Sequence, residues 1–287
     1  MSRSAADRMH LRMAWHPHLN IISLNTKAVS AVGFSEFTFC DGDIEHVVFR
    51  IGSGPGVMIM HELPGMTDAC VDFAEEVARE FTAYLPLMFG SPRDYAPLRF
   101  LAKLCISREF RLFANRGGSP IADWMRALCR KVHLECGGPG VGVIGMCLSG
   151  NFAISLMAEP AVLAPVASQP SLPLGLFKRS RSALAVTAAE MSAASARAKS
   201  GTTLLGLRFS DDILCPRDRF ATLRQTFGPA FVEIEIDSSK GNCWGIRPNS
   251  HSVLTDDFVD ETGHPTREAR NTVLAFLREK LAGSPKT

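Results

Sequence analysis

Four short stretches of the 287-residue chain hold residue types that can do chemistry together. Cys147 lies in Gly145-Met146-Cys147-Leu148-Ser149-Gly150, Asp211-Asp212 comes after it, and His251-Ser252 comes later still. Upstream of all three stands His61-Glu62-Leu63-Pro64-Gly65. A thiol is a nucleophile, an imidazole can take its proton, and a carboxylate can orient that imidazole. Cys147, Asp212 and His251 offer these groups in the order nucleophile, acid, base. The chemistry they suit is acyl transfer, in which the thiolate attacks a carbonyl carbon.

Each stretch also has a plainer explanation. Cysteine is among the most often buried residues, so Cys147 fits a tight strand–helix junction without any reactivity. Asp211-Asp212 before Ile213-Leu214-Cys215-Pro216 is good turn and helix-cap chemistry. His251 reads equally as a partly exposed surface histidine. His264 is a rival base, but it abuts Pro265 at a helix start, where a cap accounts for it. His61-Glu62 reads equally as a solvated strand end.

The surrounding elements decide how much weight the spacing carries. Phe34, Phe37 and Phe39 lead to Asp41-Gly42-Asp43 and then His46-Val47-Val48-Phe49, the pattern of a hairpin. Val57-Met58-Ile59-Met60 and Val141-Gly142-Val143-Ile144-Gly145 are continuous apolar runs, as expected of strands buried on both faces. A helix is predicted from Thr67 to about Phe81, with Thr67 as cap and Cys70, Phe73, Ala74, Val77 and Phe81 on one face. Tyr84 to Phe89 reads as a strand end. Further helices are expected from Ser119-Pro120, over Phe152–Met157, behind the Thr187–Glu190 capping box as far as Gly201, and after Pro265. Further strands are expected at Val162–Ala167, Thr203–Leu207 and Phe231–Ile236. The stretch from Lys178 to Ser200 reads as an excursion over the sheet. Alternating strands and helices specify a mostly parallel sheet covered on both faces, with an antiparallel pair at its start.

In such a sheet reactive groups gather where strands run into helices. Cys147 sits at one of these junctions, directly after the apolar run ending at Gly145. Gly145 and Ser149 are the small residues that a sharp strand-to-helix turn needs two before and two after a nucleophile. The free N–H groups of the following helix point at the same spot, and helix N-termini favour a thiolate over a thiol. His61-Glu62-Leu63 follows the neighbouring apolar run, which is where a second N–H for an oxyanion is expected.

Composition sets the frame. With 46% hydrophobic and 21% charged residues the chain can bury a large core. A net charge of +2 builds neither a nucleic-acid stripe nor a polybasic membrane patch. No apolar run approaches the roughly 18 residues of a membrane helix. The eight cysteines include no C-x-x-C pair, so zinc ribbons and thioredoxin-type sites are not expected, and reduced thiols suit a cytoplasmic protein. Residues 1–25 read as a flexible N-terminal extension and 26–287 as one domain. That extension carries Arg3, Arg8 and Arg12 and lacks the apolar stretch of a secretory signal, with an organelle-type presequence as the competing reading.

Taken together, these motifs resemble those of the dienelactone hydrolases, over about Phe34 to Leu281. Gly145-Met146-Cys147-Leu148-Ser149-Gly150 is close to that family's nucleophile turn, with Ser149 in place of a glycine. Glu62 matches a glutamate after the third strand, Asp212 with Pro216 an aspartate four before a proline, and His251-Ser252 a histidine–serine pair in the last loop. The resemblance implies an α/β-hydrolase fold and hydrolysis of a carboxylic ester or lactone by a Cys147–His251–Asp212 triad through an acyl-cysteine, with no metal or organic cofactor. It implies that Glu62 holds the resting thiol and helps release a thiolate, that the N–H groups of Leu63 and Leu148 form the oxyanion hole, and that Ser252 contacts substrate. The expected partner is a small ester or lactone, with no nucleic acid or membrane, and the expected state a monomer or homodimer. One position departs from the pattern. Where the family has an arginine that clamps a substrate carboxylate, this chain has Thr255; Arg93, Arg208 and Arg247 are other candidates for that charge.

Two other function classes compete with this one. A non-catalytic protein of the same fold would bind a small molecule, but it would not need an acid, a base and a nucleophile in this order. A redox-sensing thiol would need a resolving partner, for which Cys215 and Cys243 are the candidates.

Overall fold

The computed structural model describes residues 33–63, 65–90, 120–171 and 181–282. The extension at residues 1–25, Ser119, Arg93 and Cys105 lie outside the described residues, as does the start of the stretch from Lys178.

Eight strands form one sheet. They are β1 (Ser35–Asp41), β2 (Ile44–Gly52), β3 (Gly56–Met60), β4 (Thr82–Pro86), β5 (Val141–Met146), β6 (Val162–Ser168), β7 (Leu204–Phe209) and β8 (Phe231–Ile236). Their order across the sheet is β1-β2-β4-β3-β5-β6-β7-β8. The hairpin predicted at Asp41-Gly42-Asp43 is present as the antiparallel β1–β2 pair, and β2 pairs antiparallel with β4. Every remaining pair is parallel. The helices are α1 (Asp68–Val77), α2 (Pro120–Cys136), α3 (Gly150–Leu156), α4 (Ala188–Lys199), α5 (Arg217–Phe227) and α6 (Pro265–Leu281).

The continuous apolar runs have the burial they predicted. All of β3, β4, β5 and β7 is buried, and alternate residues feed two cores. Met58, Met60 and Val143 pack with Trp124, Leu128 and Phe152 on one face. Val57, Ile59 and Ile144 pack with Phe73, Val77, Leu274 and Leu277 on the other. Each such side chain contributes roughly 1.5–3 kcal/mol by leaving water. That burial, rather than local propensity, holds the central strands in place.

Helix starts follow the caps seen in the sequence. Thr67 Oγ1 accepts the N–H of Cys70 at 3.3 Å, and Thr187 with Glu190 forms a reciprocal capping box. His264 caps α6 by accepting the N–H of Thr266, so this histidine is bound up in the helix start. The first helix, however, ends at Val77 rather than near Phe81. The N–H groups of Glu80 and Phe81 both turn back to the carbonyl of Val77, and Phe81 enters the core just ahead of β4. An apolar residue at helical spacing also suits the approach to a buried strand, so periodicity alone overshoots the boundary. Among the described residues no helix is long and apolar enough to cross a membrane.

Candidate active site

β5 ends at Met146, and a single turn of 3₁₀ helix (Cys147–Ser149) leads directly into α3. The cost of that turn falls on Cys147, whose φ is +56°, an unusual value for a residue with a side chain. The neighbours have to be small. A Cβ on Gly145 would lie 2.2 Å from the carbonyl oxygen of Ser149, and one on Gly150 would lie 2.9 Å from the Cα of Pro170. Ser149 stands where the dienelactone hydrolase pattern has glycine, and its hydroxyl has a task. It accepts the N–H of Met146 at 2.8 Å and lies 2.8 Å from the carbonyl of Met60, to which it donates, tying the turn to the end of β3. The thiol of Cys147 is buried beside Ser171, with Sγ and Oγ 3.0 Å apart.

Met60 is in register with Gly145 across the β3–β5 ladder, so the chain leaving β3 at His61-Glu62-Leu63 emerges beside the cysteine turn. His61 pins that exit. Its Nε2 accepts the N–H of Met88 at 3.1 Å, its Nδ1 lies 3.2 Å from the carbonyl of Glu62, and its ring meets Phe89 edge-on. These partners fit a neutral ring with its proton on Nδ1. Burial enforces neutrality by lowering the His61 value from its ordinary 6.5 to about 4.

The folded-state value lies below the unfolded one, so the stability this ring provides is intact above the ordinary value and is lost as pH falls through the window between the two. Unfolding measured from pH 7 to pH 4 is expected to show wild type losing about 3 kcal/mol more than His61→Gln over that range. Equal pH slopes would remove His61 as the source.

The structure brings Asp212 and His251 together. Asp212 Oδ2 lies 2.7 Å from His251 Nδ1, while Oδ1 accepts the N–H groups of Leu214 and Cys215 at 2.8 and 3.1 Å. Two backbone donors on one oxygen aim the other at the ring. Asp211 faces away: its side chain is exposed and its nearest partner is the hydroxyl of Ser210. Burial opposes a charged imidazole at this position, yet Asp212 and the sulfur of Cys147 outweigh it and push His251 up to about 11. The ring is therefore a strong proton acceptor. Its Nε2 is buried and has no hydrogen-bond partner. A ring nitrogen of His251, the sulfur of Cys147 and a carboxyl oxygen of Glu62 all lie within 4.8 Å of one another.

Glu62 is fully buried, and burial pushes its carboxyl above the usual range despite the hydroxyls around it. Its Oε2 accepts from Ser252 Oγ at 2.8 Å and from Gln169 Nε2 at 3.3 Å, and its Oε1 accepts from Thr255 Oγ1. The thiol is bonded to Ser171 and the glutamate to this trio, with the two groups close but not directly joined. Thr255, at the position where the resemblance expects a carboxylate-clamping arginine, is buried against Glu62. Of the arginines named as substitutes, the two among the described residues are engaged elsewhere. Arg208 bonds Ser210 and Cys215 carbonyls and Glu235, and Arg247 is exposed and pairs with Asp257.

Several residues that shape this site gave no sign in the sequence. Asp257 accepts the N–H groups of His251 and Ser252 at 2.7 and 3.0 Å, which fixes the histidine loop from within. Arg270 on α6 bonds the carbonyl of Leu254 and the carboxylate of Glu76 on α1, clamping the same loop from below. Gln169, with φ +34°, and Ser171 come from the turn after β6. Serine, glutamine and aspartate in loops are too common to single out by type. The one available signal was position, because the end of β6 lies next to the end of β5 in a parallel sheet. Among the described residues the cysteines are all free thiols, and burial pushes those of Cys70, Cys129 and Cys215 up.

The fold matches that of solved structures. A metagenomic protein described as a dienelactone hydrolase-like promiscuous phosphotriesterase superposes with a TM-score of 0.59 at 13% identity, over 86% of this chain and 98% of that one. A Klebsiella pneumoniae protein assigned as a dienelactone hydrolase gives 0.55 at 16% identity, again over 86% and 98%. The chain has the α/β-hydrolase fold. An acylaminoacyl peptidase of Pyrococcus horikoshii shares it, with a TM-score of 0.54 at 13% identity over 88% of this chain and 42% of that larger one. At such identities the likeness carries the fold alone. No family model and no curated protein matches the chain.

Proposed function

We propose that the chain is a dienelactone hydrolase-like enzyme that cleaves a carboxylic ester or lactone through a Cys147–His251–Asp212 triad. The observation that carries this reading is the Asp212–His251 pair at 2.7 Å, set beside a cysteine held at φ +56° on a strand-to-helix turn. A binding protein of the same fold has no use for a buried carboxylate aimed at an imidazole. A redox thiol would require a second sulfur, and Cys147 has Ser171 beside it instead.

The chemistry proceeds by two oxyanions. His251 takes the proton of the Cys147 thiol, and the sulfur attacks the carbonyl carbon, forming a C–S bond while the C=O electron pair moves to oxygen. The N–H groups of Leu63 and Leu148 receive that oxyanion, an interaction for which losing one donor typically costs about 3 kcal/mol. Collapse breaks the C–O bond, and His251 returns its proton to the departing alkoxide. In a lactone the alkoxide stays tethered and the ring opens. Water, deprotonated by His251, then attacks the acyl-cysteine, and the second collapse breaks the C–S bond, releasing the acid as His251 returns the proton to the Cys147 sulfur. Asp212 keeps the ring in the productive tautomer throughout. With Thr255 bound to Glu62 where a clamping arginine would stand, an ester or lactone without a carboxylate at that point is the better fit.

A panel of lactones and activated esters, assayed with and without a thiol alkylator, tests the assignment. Hydrolysis is expected for at least one member, and its loss should track alkylation of Cys147 as read by peptide mass, not that of the exposed Cys40 and Cys243. No turnover across the panel would overturn it.

A further inference from the structure

The triad uses two of the three groups that converge at this site, and the third gives them a different capability. The Cys147 sulfur, a ring nitrogen of His251 and a carboxyl oxygen of Glu62 lie within 4.8 Å of one another. In a tetrahedral zinc site the bonds are about 2.3 Å to sulfur and about 2.0–2.2 Å to nitrogen and oxygen, which places donors roughly 3.3–3.8 Å apart. Closing the present cluster on an ion therefore needs shifts of about an ångström, well within side-chain adjustment.

The surroundings favour it. His251 Nδ1 is fixed on Asp212, which leaves Nε2 buried and unpartnered. A metal-binding histidine characteristically has this carboxylate behind it, because the carboxylate sets the tautomer and orients the ring. Glu62 is likewise held in place: Oε2 accepts from Ser252 and Gln169 and Oε1 from Thr255, so Oε1 retains a lone pair for a metal. One sulfur, one nitrogen and one oxygen suit zinc or cadmium and not the all-oxygen preferences of magnesium or calcium.

We propose that Cys147, His251 and Glu62 form a three-donor site for a zinc-class divalent ion, which reversibly switches the enzyme off. The ion would hold both the sulfur that must attack and the nitrogen that must carry the proton. Binding does not depend on the hydrolase reading, but its inhibitory consequence rests on it.

Cadmium is the direct probe, since a thiolate–cadmium bond absorbs in the ultraviolet whatever the activity. In a Cys40→Ser, Cys243→Ser background, which removes the exposed thiols among the described residues, one equivalent of cadmium is expected to give a charge-transfer band that is absent from the added Cys147→Ser variant. Glu62→Gln keeps the size of the side chain while one acceptor oxygen becomes an N–H₂ group, and it is expected to weaken cadmium affinity at least tenfold. Equal affinity in Glu62→Gln, or the same absorbance in Cys147→Ser, would overturn the site. In parallel, zinc should abolish ester turnover and a chelator should restore it. Turnover unchanged or raised by zinc would overturn the inhibitory role. Glu62-dependent cadmium binding in a protein with no turnover on any ester would support the metal site and overturn the hydrolase reading.

Discussion

Replacing Cys147 with alanine is expected to lower kcat for any ester or lactone substrate by roughly 10⁴-fold or more while leaving the fold in place. The size of the effect follows from the role. With no sulfur there is no acyl-enzyme, and only the oxyanion donors and substrate positioning remain, which elsewhere retain a small residue of rate above water. The fold should survive because alanine has the same Cβ and meets the same backbone constraint at φ +56°. The losses are the sulfur's contact with Ser171 Oγ and its interaction with His251, both confined to the site. Steady-state kinetics on the best substrate of the ester panel, with the melting temperature as a control, makes the comparison. Unchanged kcat in a folded variant would remove Cys147 from the mechanism.

The fold was legible in this sequence because its central strands are buried on both faces. Val57–Met60 and Val141–Gly145 can be read as strands without knowing their partners, since apolar runs this short and bounded by glycine suit a buried strand better than a helix. Caps at Thr67 and Thr187 mark helix starts for local reasons, one hydroxyl and one N–H apiece. Helix ends were less legible. Phe81 is buried by the sheet rather than by the helix it follows, and periodicity does not distinguish those two destinations.

The site divides along the same line. Cysteine, aspartate and histidine at strand ends are few, and their chain order narrows the choice to named positions. Hydrogen-bond partners contributed by distant loops are not local properties. Ser171 and Gln169 matter because the end of β6 lies beside the cysteine turn, and Asp257 because its carboxylate folds back onto two N–H groups. The departure at Thr255 was visible as a missing cation. Its actual use, a buried hydroxyl on Glu62, emerges only once two loops almost two hundred residues apart are brought together. Asp211 and Asp212 show the limit most plainly. They are adjacent and identical in type, and the choice between them depends on which one finds the N–H groups of Leu214 and Cys215.

Asp212→Asn is expected to cut kcat by roughly 10³–10⁴-fold, while Asp211→Asn leaves it nearly unchanged. Asparagine is the same size, and its carbonyl can still accept from Leu214 and Cys215, so the turn should keep its shape. That geometry then presents an amide N–H₂ to His251 Nδ1 where a carboxylate oxygen stood. Nδ1 becomes the acceptor, the ring proton moves to Nε2, and the nitrogen facing the thiol can no longer take its proton. The ring is also weakened as a base, because the Asp212 carboxylate is a principal cause of its rise to about 11. Both effects act on proton transfer and not on substrate binding, so the loss should fall on kcat with KM little altered. Asp211 has neither connection: its carboxylate is exposed and touches the Ser210 hydroxyl, and its amide changes nothing that His251 senses. A loss in Asp211→Asn equal to that in Asp212→Asn would mean that the carboxylate acts through the net charge of the turn. The aimed hydrogen bond would then not be the source of the rate.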